Sequence, residues 1–228
     1  VQVRPDKRVF FTLRDYLSFV RELNDKPILP AAGSEPAEAE RRALPGTIRK
    51  LWIGESAALR DHLWRLDPES RRYRFGSPVN NYFIEQYASR ALTPDTIVHG
   101  FFVDGVLRAA AELRPYGNPF PMEAEAAFSV EREWQNHGVG SELMERTILA
   151  ARNRGIRAIY LNCLLENRRM QAIAKKYEAL LRIHADDVVG EVVNPVPTPL
   201  SVARELVADG YDMTTAILDL QSQLLRAV

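Results

Sequence analysis

A single cysteine, Cys163, stands among 228 residues. It excludes an intramolecular disulfide and any cysteine-based zinc cluster. No apolar run approaches the roughly 18–20 residues that a membrane-spanning helix needs, so no membrane-embedded role is expected. Excess charge is missing too: 30 basic and 30 acidic side chains give a formal net charge of +0. Such a balance gives no reason to expect nucleic acid as a partner. His62, His99 and His184 show no metal-ligand spacing, and no metal is expected. The chain opens on Val1 rather than methionine and carries no signal-peptide pattern. The cytoplasm is the expected compartment.

What remains is the composition of a globular protein, 46% apolar and 26% charged. The length suits one domain with extensions, or two small domains. Residues 9–23 place Phe11, Leu13, Tyr16, Phe19, Val20 and Leu23 near helical spacing. Residues 27–46 are rich in Pro, Ala and Glu and read as a linker. A strand is expected over 47–53 and a helix over 55–66, with Leu59, Leu63 and Leu66 on one face. Asp67-Pro68-Glu69-Ser70 reads as a break. A second helix is expected over 82–92, with Phe83, Tyr87 and Leu92 inward. Asp104-Gly105 between apolar runs 96–103 and 106–113 is a hairpin signal.

Further along, a strand is expected over 123–130, a helix over 141–153, a strand over 158–164 and a helix over 166–180. A last hairpin spans 181–193. Asn194-Pro-Val-Pro-Thr-Pro199 is an extended breaker before a final helix, on which Met213, Ile217, Leu220, Leu224 and Val228 draw one apolar stripe. The expected organisation is 1–46 as helix and linker, 47–193 as the main domain, and 194–228 as the break and C-terminal helix. Antiparallel hairpins joined to one β-α-β crossover give a mixed α/β (α+β) fold flanked by helices.

The informative segment is 128–141, F-S-V-E-R-E-W-Q-N-H-G-V-G-S. A strand ends near Val130, and Gly138 and Gly140 lead straight into a helix. Glycines there let the backbone approach an anion, and the helix N-terminus adds partial positive charge. Ser141 can add a hydroxyl. The pattern suits a pyrophosphate. It is not the dinucleotide fingerprint, because Leu143 stands where the third glycine belongs, and it lacks the Gly-Lys-Ser/Thr of a P-loop. Two glycines alone would equally serve a plain strand-to-helix turn.

The surrounding residues extend the pattern. V-x-x-x-W-Q-x-x-G-x-G resembles the acetyl-coenzyme A motif of the GNAT N-acetyltransferase superfamily. Residues 59–75 (L-R-D-H-L-W-R-L-D-P-E-S-R-R-Y-R-F) are similar to the first helix and loop of the bacterial protein (lysine) acetyltransferase branch. Residues 166–170 (E-N-R-R-M) are similar to the start of that branch's helix after the fifth strand. The resemblance covers roughly residues 47–193 and implies a GNAT-like, mostly antiparallel sheet. It also implies acetyl-CoA as co-substrate and an amine, either a protein lysine or a small molecule, as acceptor. The main-chain groups of Phe128 and Val130 would meet the pantetheine arm. Gln135, Asn136, His137, Gly138, Val139, Gly140 and Ser141 would wrap the pyrophosphate, and Asn167 would reach the coenzyme. Position 137 is commonly Arg or Lys in such loops. The histidine here would hold phosphate less well above its titration range. The leucine-glycine-phenylalanine that usually ends the post-strand helix is replaced by Tyr177-Glu178-Ala179.

Acetyl transfer to an amine needs a base for the nucleophile and donors for the developing oxyanion. The resemblance places the base on the strand before the motif, at a position occupied here by Ala124. Glu125, Glu112 and Glu123 are the candidates, in that order, with water-facing carboxylates as the ordinary alternative for each. A family tyrosine acid would fall near Ala174; Tyr177 reads as packing, Tyr160 as a core residue of a buried strand, and Cys163 as a buried thiol. Asp186, Asp187 and Glu191 are candidates for an acceptor mouth. Two other readings stay open: a CoA-binding domain without catalysis, and a partner-docking role for the terminal extensions. The C-terminal stripe needs a cover, either residues 9–23 or a second subunit, so a monomer and a homodimer are both expected possibilities.

Overall fold

The computed structural model describes residues 44–116, 122–184 and 187–226. The chain divides into two units, Val1–Ala39 and Glu40–Val228, and all described residues belong to the second. The expected N-terminal helix at 9–23 and most of the linker lie outside the described residues.

The elements run β1 (Thr47–Lys50), α1 (Ser56–Arg65), α2 (Pro68–Phe75), α3 (Asn81–Ala91), β2 (Ile97–Val103), β3 (Val106–Tyr116), β4 (Glu123–Val130), α4 (Val139–Asn153), β5 (Ala158–Leu164), α5 (Arg168–Lys176), β6 (Leu180–His184), β7 (Asp187–Val193) and α6 (Pro199–Arg226). The strands form a seven-stranded sheet in the order β1-β2-β3-β4-β5-β7-β6. All neighbours are antiparallel except β4 and β5. The protein is therefore a mixed α/β fold with a mostly antiparallel sheet flanked by helices. The β2–β3 turn carries Asp104 and Gly105 at φ 50° and 74°, the left-handed pair that a tight hairpin requires.

Helices cover both sheet faces. Leu59 and Leu63 of α1 and Ile84 and Ala91 of α3 pack on Val98, Phe102, Leu107 and Ala110. On the other face, Leu143 and Val139 of α4 meet Phe101, Ala109 and Ala111, while Met144 and Ala174 meet Ala124, Ala126 and Ile159. Alternation along β3 and β4 assigns each residue to one side.

Three local expectations are corrected. Asp67-Pro68 does end α1, but it also starts α2: the Asp67 carboxylate accepts from the backbone N–H of Glu69 and Ser70, and Pro68 takes the first turn. Phe83 is 43% exposed, and Ile84 and Ala88 are the inward residues of α3. The helix expected over 166–180 begins after Asn167, its N-cap, and stops at Lys176. Glu178 then adopts φ 57°, which turns the chain and lets Leu180 open β6.

The helix α6 is tied to β1 and α4. Lys50 Nζ bonds Glu205 Oε1 at 2.9 Å and Asp209 Oδ2 at 2.7 Å. Asn153 and Arg154 at the end of α4 also reach Glu205, at 2.7 and 2.8 Å. Thr198 and Ser201 cap its start by exchanging backbone-to-hydroxyl bonds of 2.9 and 3.1 Å. Met213 and Ile217 of the expected stripe are exposed.

Candidate functional site: a cleft at the mouth of a split sheet

β4 and β5 pair only over three rungs, Glu123 with Ala158, Ala124 with Ile159, and Glu125 with Tyr160. Beyond Glu125 the strands part, and the backbone edge of β4 facing β5 is left open. Glu131 N–H donates to Arg108 O on β3 at 3.0 Å. Counting back by two, residues 129 and 127 also turn their backbone groups toward β3. Those of Phe128 and Val130 therefore turn toward the gap. The Val130 carbonyl accepts from Gln135 Nε2 at 2.9 Å.

A cleft of about 330 Å³ lies at this opening. Phe128, Val130, Gln135, Asn136, Gly138, Gly140, Ser141 and Asn167 all line it. His137 is exposed beside it, with Nδ1 donating to Gln135 O at 2.7 Å. The Val139 side chain is buried in the core, so only its main chain can face a ligand. A smaller cavity of about 30 Å³ continues between the parted strands, against Ala126, Ala127, Phe128, Leu161, Asn162 and Cys163.

The loop is built to leave donors free. Asn136 and Gly138 both take positive φ, 62° and 87°, folding the chain back on itself. Gly138 is the N-cap of α4 and brings no side-chain cap. The first N–H groups of a 15-residue helix thus point outward beside the cleft. The Gln135 side chain fastens the loop, donating to Val130 O and Ser70 Oγ and accepting from Arg169 Nη1 at 2.8 Å. Tyr177 Oη donates to Ser141 O at 2.7 Å and ties the end of α5 to the start of α4.

Several lining residues were missed in the sequence: Ser70 and Tyr73 from α2, and Arg169, Met170 and Ile173 from α5. Taking Asp67–Ser70 as a break hid the first pair. The arginines after Asn167 were a visible signal for Arg169. Arg72 on α2 bonds Glu166 Oε2 at 2.6 Å, linking α2 to the β5–α5 turn.

The acidic candidates separate clearly. Glu112 is 1% exposed, with one oxygen on Arg74 and the other on Tyr87 Oη at 2.6 Å and Arg114 Nη2 at 2.8 Å. Burial works to raise its pKa, but the two guanidinium charges and these hydrogen bonds win and hold it at about 2. Glu125 sits on the last paired rung before the split. Burial pushes its pKa up, against the pull of Arg74 and Arg114, and Glu112 adds to the rise. Glu123 lies opposite Tyr116 and Ala158, and Tyr160 Oη reaches it at 3.4 Å. Tyr160 is not a core residue: register puts it on the same face as Glu125 and Glu191, and it stacks on Tyr116 with ring centroids 6.3 Å apart. Ala124 is fully buried. Cys163 is buried and its thiol is pushed up to about 11 by burial, away from the thiolate form that nucleophilic chemistry uses. Asp186 lies outside the described residues. Among the described residues, no group of three or more His, Cys, Asp or Glu side chains could hold a metal, and no helix is long and apolar enough to cross a membrane.

The split sheet beside an uncapped glycine turn offers anion-binding donors next to an open strand edge. The acetyltransferase (GNAT) family model matches residues 57–178, more than half of the chain. The chain belongs to that family. Solved structures give the same fold. The GNAT domain of S. lividans PAT is 22% identical, with a TM-score of 0.57, covering 64% of this chain and 89% of that one. The yncA putative acetyltransferase from Salmonella typhimurium, solved with its cofactor acetyl-CoA, is 15% identical, with a TM-score of 0.53 and coverage of 68% and 97%. A GNAT-family acetyltransferase from Streptococcus pneumoniae is 16% identical, with a TM-score of 0.52 and coverage of 66% and 99%. No curated protein matches the chain significantly.

Proposed function

We propose that the protein moves an acetyl group from acetyl-CoA to a primary amine, of a protein lysine or a small molecule, by direct attack with Glu125 as general base. The observation that carries this reading is continuity. The uncapped start of α4 and the open edge of β4 border one cleft, a smaller cavity between the parted strands shares its Phe128, Asn167 and Met170 walls, and Glu125 sits on the last paired rung before the gap.

The residues present fit acetyl-CoA. The N–H groups of Val139 and Gly140 in the first turn of α4 and the charge of Arg169 suit a pyrophosphate. The backbone of Phe128 and Val130 offers pairing groups to an amide-bearing arm. Asn167 spends its side-chain oxygen on Met170 N–H at 3.1 Å, which leaves its amide N–H groups to face the cleft. Acetyl-CoA, when bound, supplies the activated acyl group, and no metal is needed for that chemistry.

Glu125 would take the proton of an ammonium or amine arriving over the face that carries Tyr116, Glu123, Tyr160 and Glu191. Burial raises its pKa, which makes it a stronger proton acceptor than an ordinary carboxylate. Glu112 acts differently in this reading. It anchors Arg74, Arg114 and Tyr87, and so sets the charge beside Glu125. The protein would work in the cytoplasm as a monomer or homodimer. A second reading, a CoA-binding module without catalysis, draws on Ala124 standing buried where the resemblance places the base. Free-thiol release from acetyl-CoA with a panel of amines and lysine peptides separates the two. Amine-dependent release supports transfer; tight CoA binding with no release on any amine supports the module.

A further inference from the structure

Acyl transfer from a thioester leaves a thiolate, and the sulfur needs a proton as the C–S bond breaks. The resemblance places that acid near Ala174, but Ala174 carries only a methyl group and is buried. Tyr177, further along, spends its hydroxyl on Ser141 O at 2.7 Å. The donor has to come from elsewhere in the site.

In the reading above, the pantetheine arm runs along Phe128 and Val130 in the larger cleft, and the acyl carbon meets the amine near Glu125, past the smaller cavity. Sulfur joins arm to acyl group, so it belongs where the two cavities adjoin. Four of the described residues line both: Tyr73, Phe128, Asn167 and Met170. Of these only Tyr73 has a side chain that ionises. It stands on α2, which lies against β4 and β5 together and so bridges the split from the sheet face opposite α5.

The other proton carriers nearby are spent or sealed. Arg74, on the smaller cavity, is held charged by Glu112. Cys163 lines that cavity too, but the burial that pushes its thiol up to about 11 also disfavours the thiolate it would leave. Tyr160 sits on the paired part of β5 and reaches Glu123. Tyr73 is half-buried on the cleft wall, and its hydroxyl donates to Glu69 Oε1 at 3.2 Å on the exposed side of α2. Partial burial and the Glu69 carboxylate raise its pKa, so the phenol is protonated at neutral pH. A tyrosinate formed there reaches water and regains its proton.

We propose that Tyr73 is the general acid of the transfer, protonating the departing sulfur from α2 in place of a donor on α5. The inference rests on the acetyl-CoA reading above. The amine nitrogen bonds to the carbonyl carbon, and its proton goes to Glu125. As the C–S bond breaks, the electron pair stays on sulfur. The Tyr73 hydroxyl turns about its C–O bond from Glu69 to sulfur and gives up its proton. Tyr73 then takes a proton from water and Glu125 releases one, leaving the amide and the free thiol.

Two measurements test this, one of them without turnover. Calorimetry compares CoA with desulfo-CoA, which lacks the sulfur, on wild type and Tyr73→Phe, at a pH near the ordinary range of an alkyl thiol, about 8.5. A phenol that meets the sulfur makes the wild type prefer CoA by about 2- to 10-fold, the worth of one hydrogen bond; Tyr73→Phe should bind both alike. Amine-dependent thiol release from acetyl-CoA is then followed on the same proteins, beside melting curves. In Tyr73→Phe, kcat should fall about 10²-fold or more, with the KM for acetyl-CoA and the melting temperature close to wild type. A wild type without preference for CoA overturns the acid, as does a preference that survives in Tyr73→Phe. Turnover by wild type that Tyr73→Phe matches upholds the transfer reading and overturns Tyr73 alone. A wild type that binds CoA but releases no thiol on any amine counts against the transfer reading and overturns the acid with it.

Discussion

Glu112→Gln separates an anchoring carboxylate from a catalytic one. The substitution keeps the shape and removes the charge. Arg74, whose side chain is 7% exposed, then loses its carboxylate, as does Arg114, whose side chain is 38% exposed. Breaking a buried pair by neutralising one partner costs about 3–5 kcal/mol. The lower end applies here, because Arg114 reaches water and the amide oxygen can still accept from Tyr87. In a domain of this size each kcal/mol moves the melting temperature by about 2–4 °C, so a loss of about 6–12 °C is expected at neutral pH. The pH dependence follows from the direction of the shift. A carboxyl held at about 2 when folded, against an ordinary 4.5, contributes stability above 4.5 that disappears as pH falls toward 2. The melting temperatures of wild type and Glu112→Gln should therefore converge in acid. Thermal melts across pH, with turnover measured at a temperature where both proteins are folded, make the assay. An unchanged melting temperature combined with a turnover loss of about 10²-fold or more would refute this reasoning and return Glu112 to the role of base.

The same reasoning gives Glu125→Gln the opposite profile: turnover falls roughly 10²–10⁴-fold while CoA affinity and melting hold, and the loss shrinks at high pH as the amine deprotonates unaided. The acid limb of wild-type turnover should lie above the ordinary carboxylate range, because burial raises this carboxyl. Asp212 on α6 is pushed up to about 6 by burial, with Arg146 pulling down and Asp209 pushing up. Its folded pKa exceeds its unfolded one, so stability falls as pH rises from about 4 to 6. Asp212→Asn should stabilise the protein at pH 8, by at most about 3 kcal/mol, with the gain fading as pH falls below about 4.

The turn that carries the cofactor reading was legible because its residues are local. Gln135, Gly138 and Gly140 lie within six positions, and the glycines have one physical reason to be there. The hairpin at Asp104-Gly105 was legible for the same cause. What stayed hidden is what distant segments make together. No pattern along β4 announces that it parts from β5 after Glu125. Glu112 and Glu125 look alike in sequence, and only the approach of Arg74 from α2, 38 positions away, makes one an anchor. His62 and Ser129 are 67 positions apart, and nothing local announces their buried hydrogen bond. The α2 helix was masked by its own cap, since Asp-Pro ends one helix and starts another with the same two residues.

The central claim is that CoA lies on the Gly138–Ser141 turn. An added Cβ at Gly140 would sit 2.8 Å from Ile173 Cδ1 on the cleft wall, so a β-branched side chain there drives Ile173 and itself into the space the coenzyme needs. The direct measurement is calorimetric titration of acetyl-CoA into the wild-type protein and Gly140→Val, with melting curves showing that both are folded. The account predicts one-to-one binding by the wild type and none by the variant. Unchanged affinity in a folded Gly140→Val protein would contradict it.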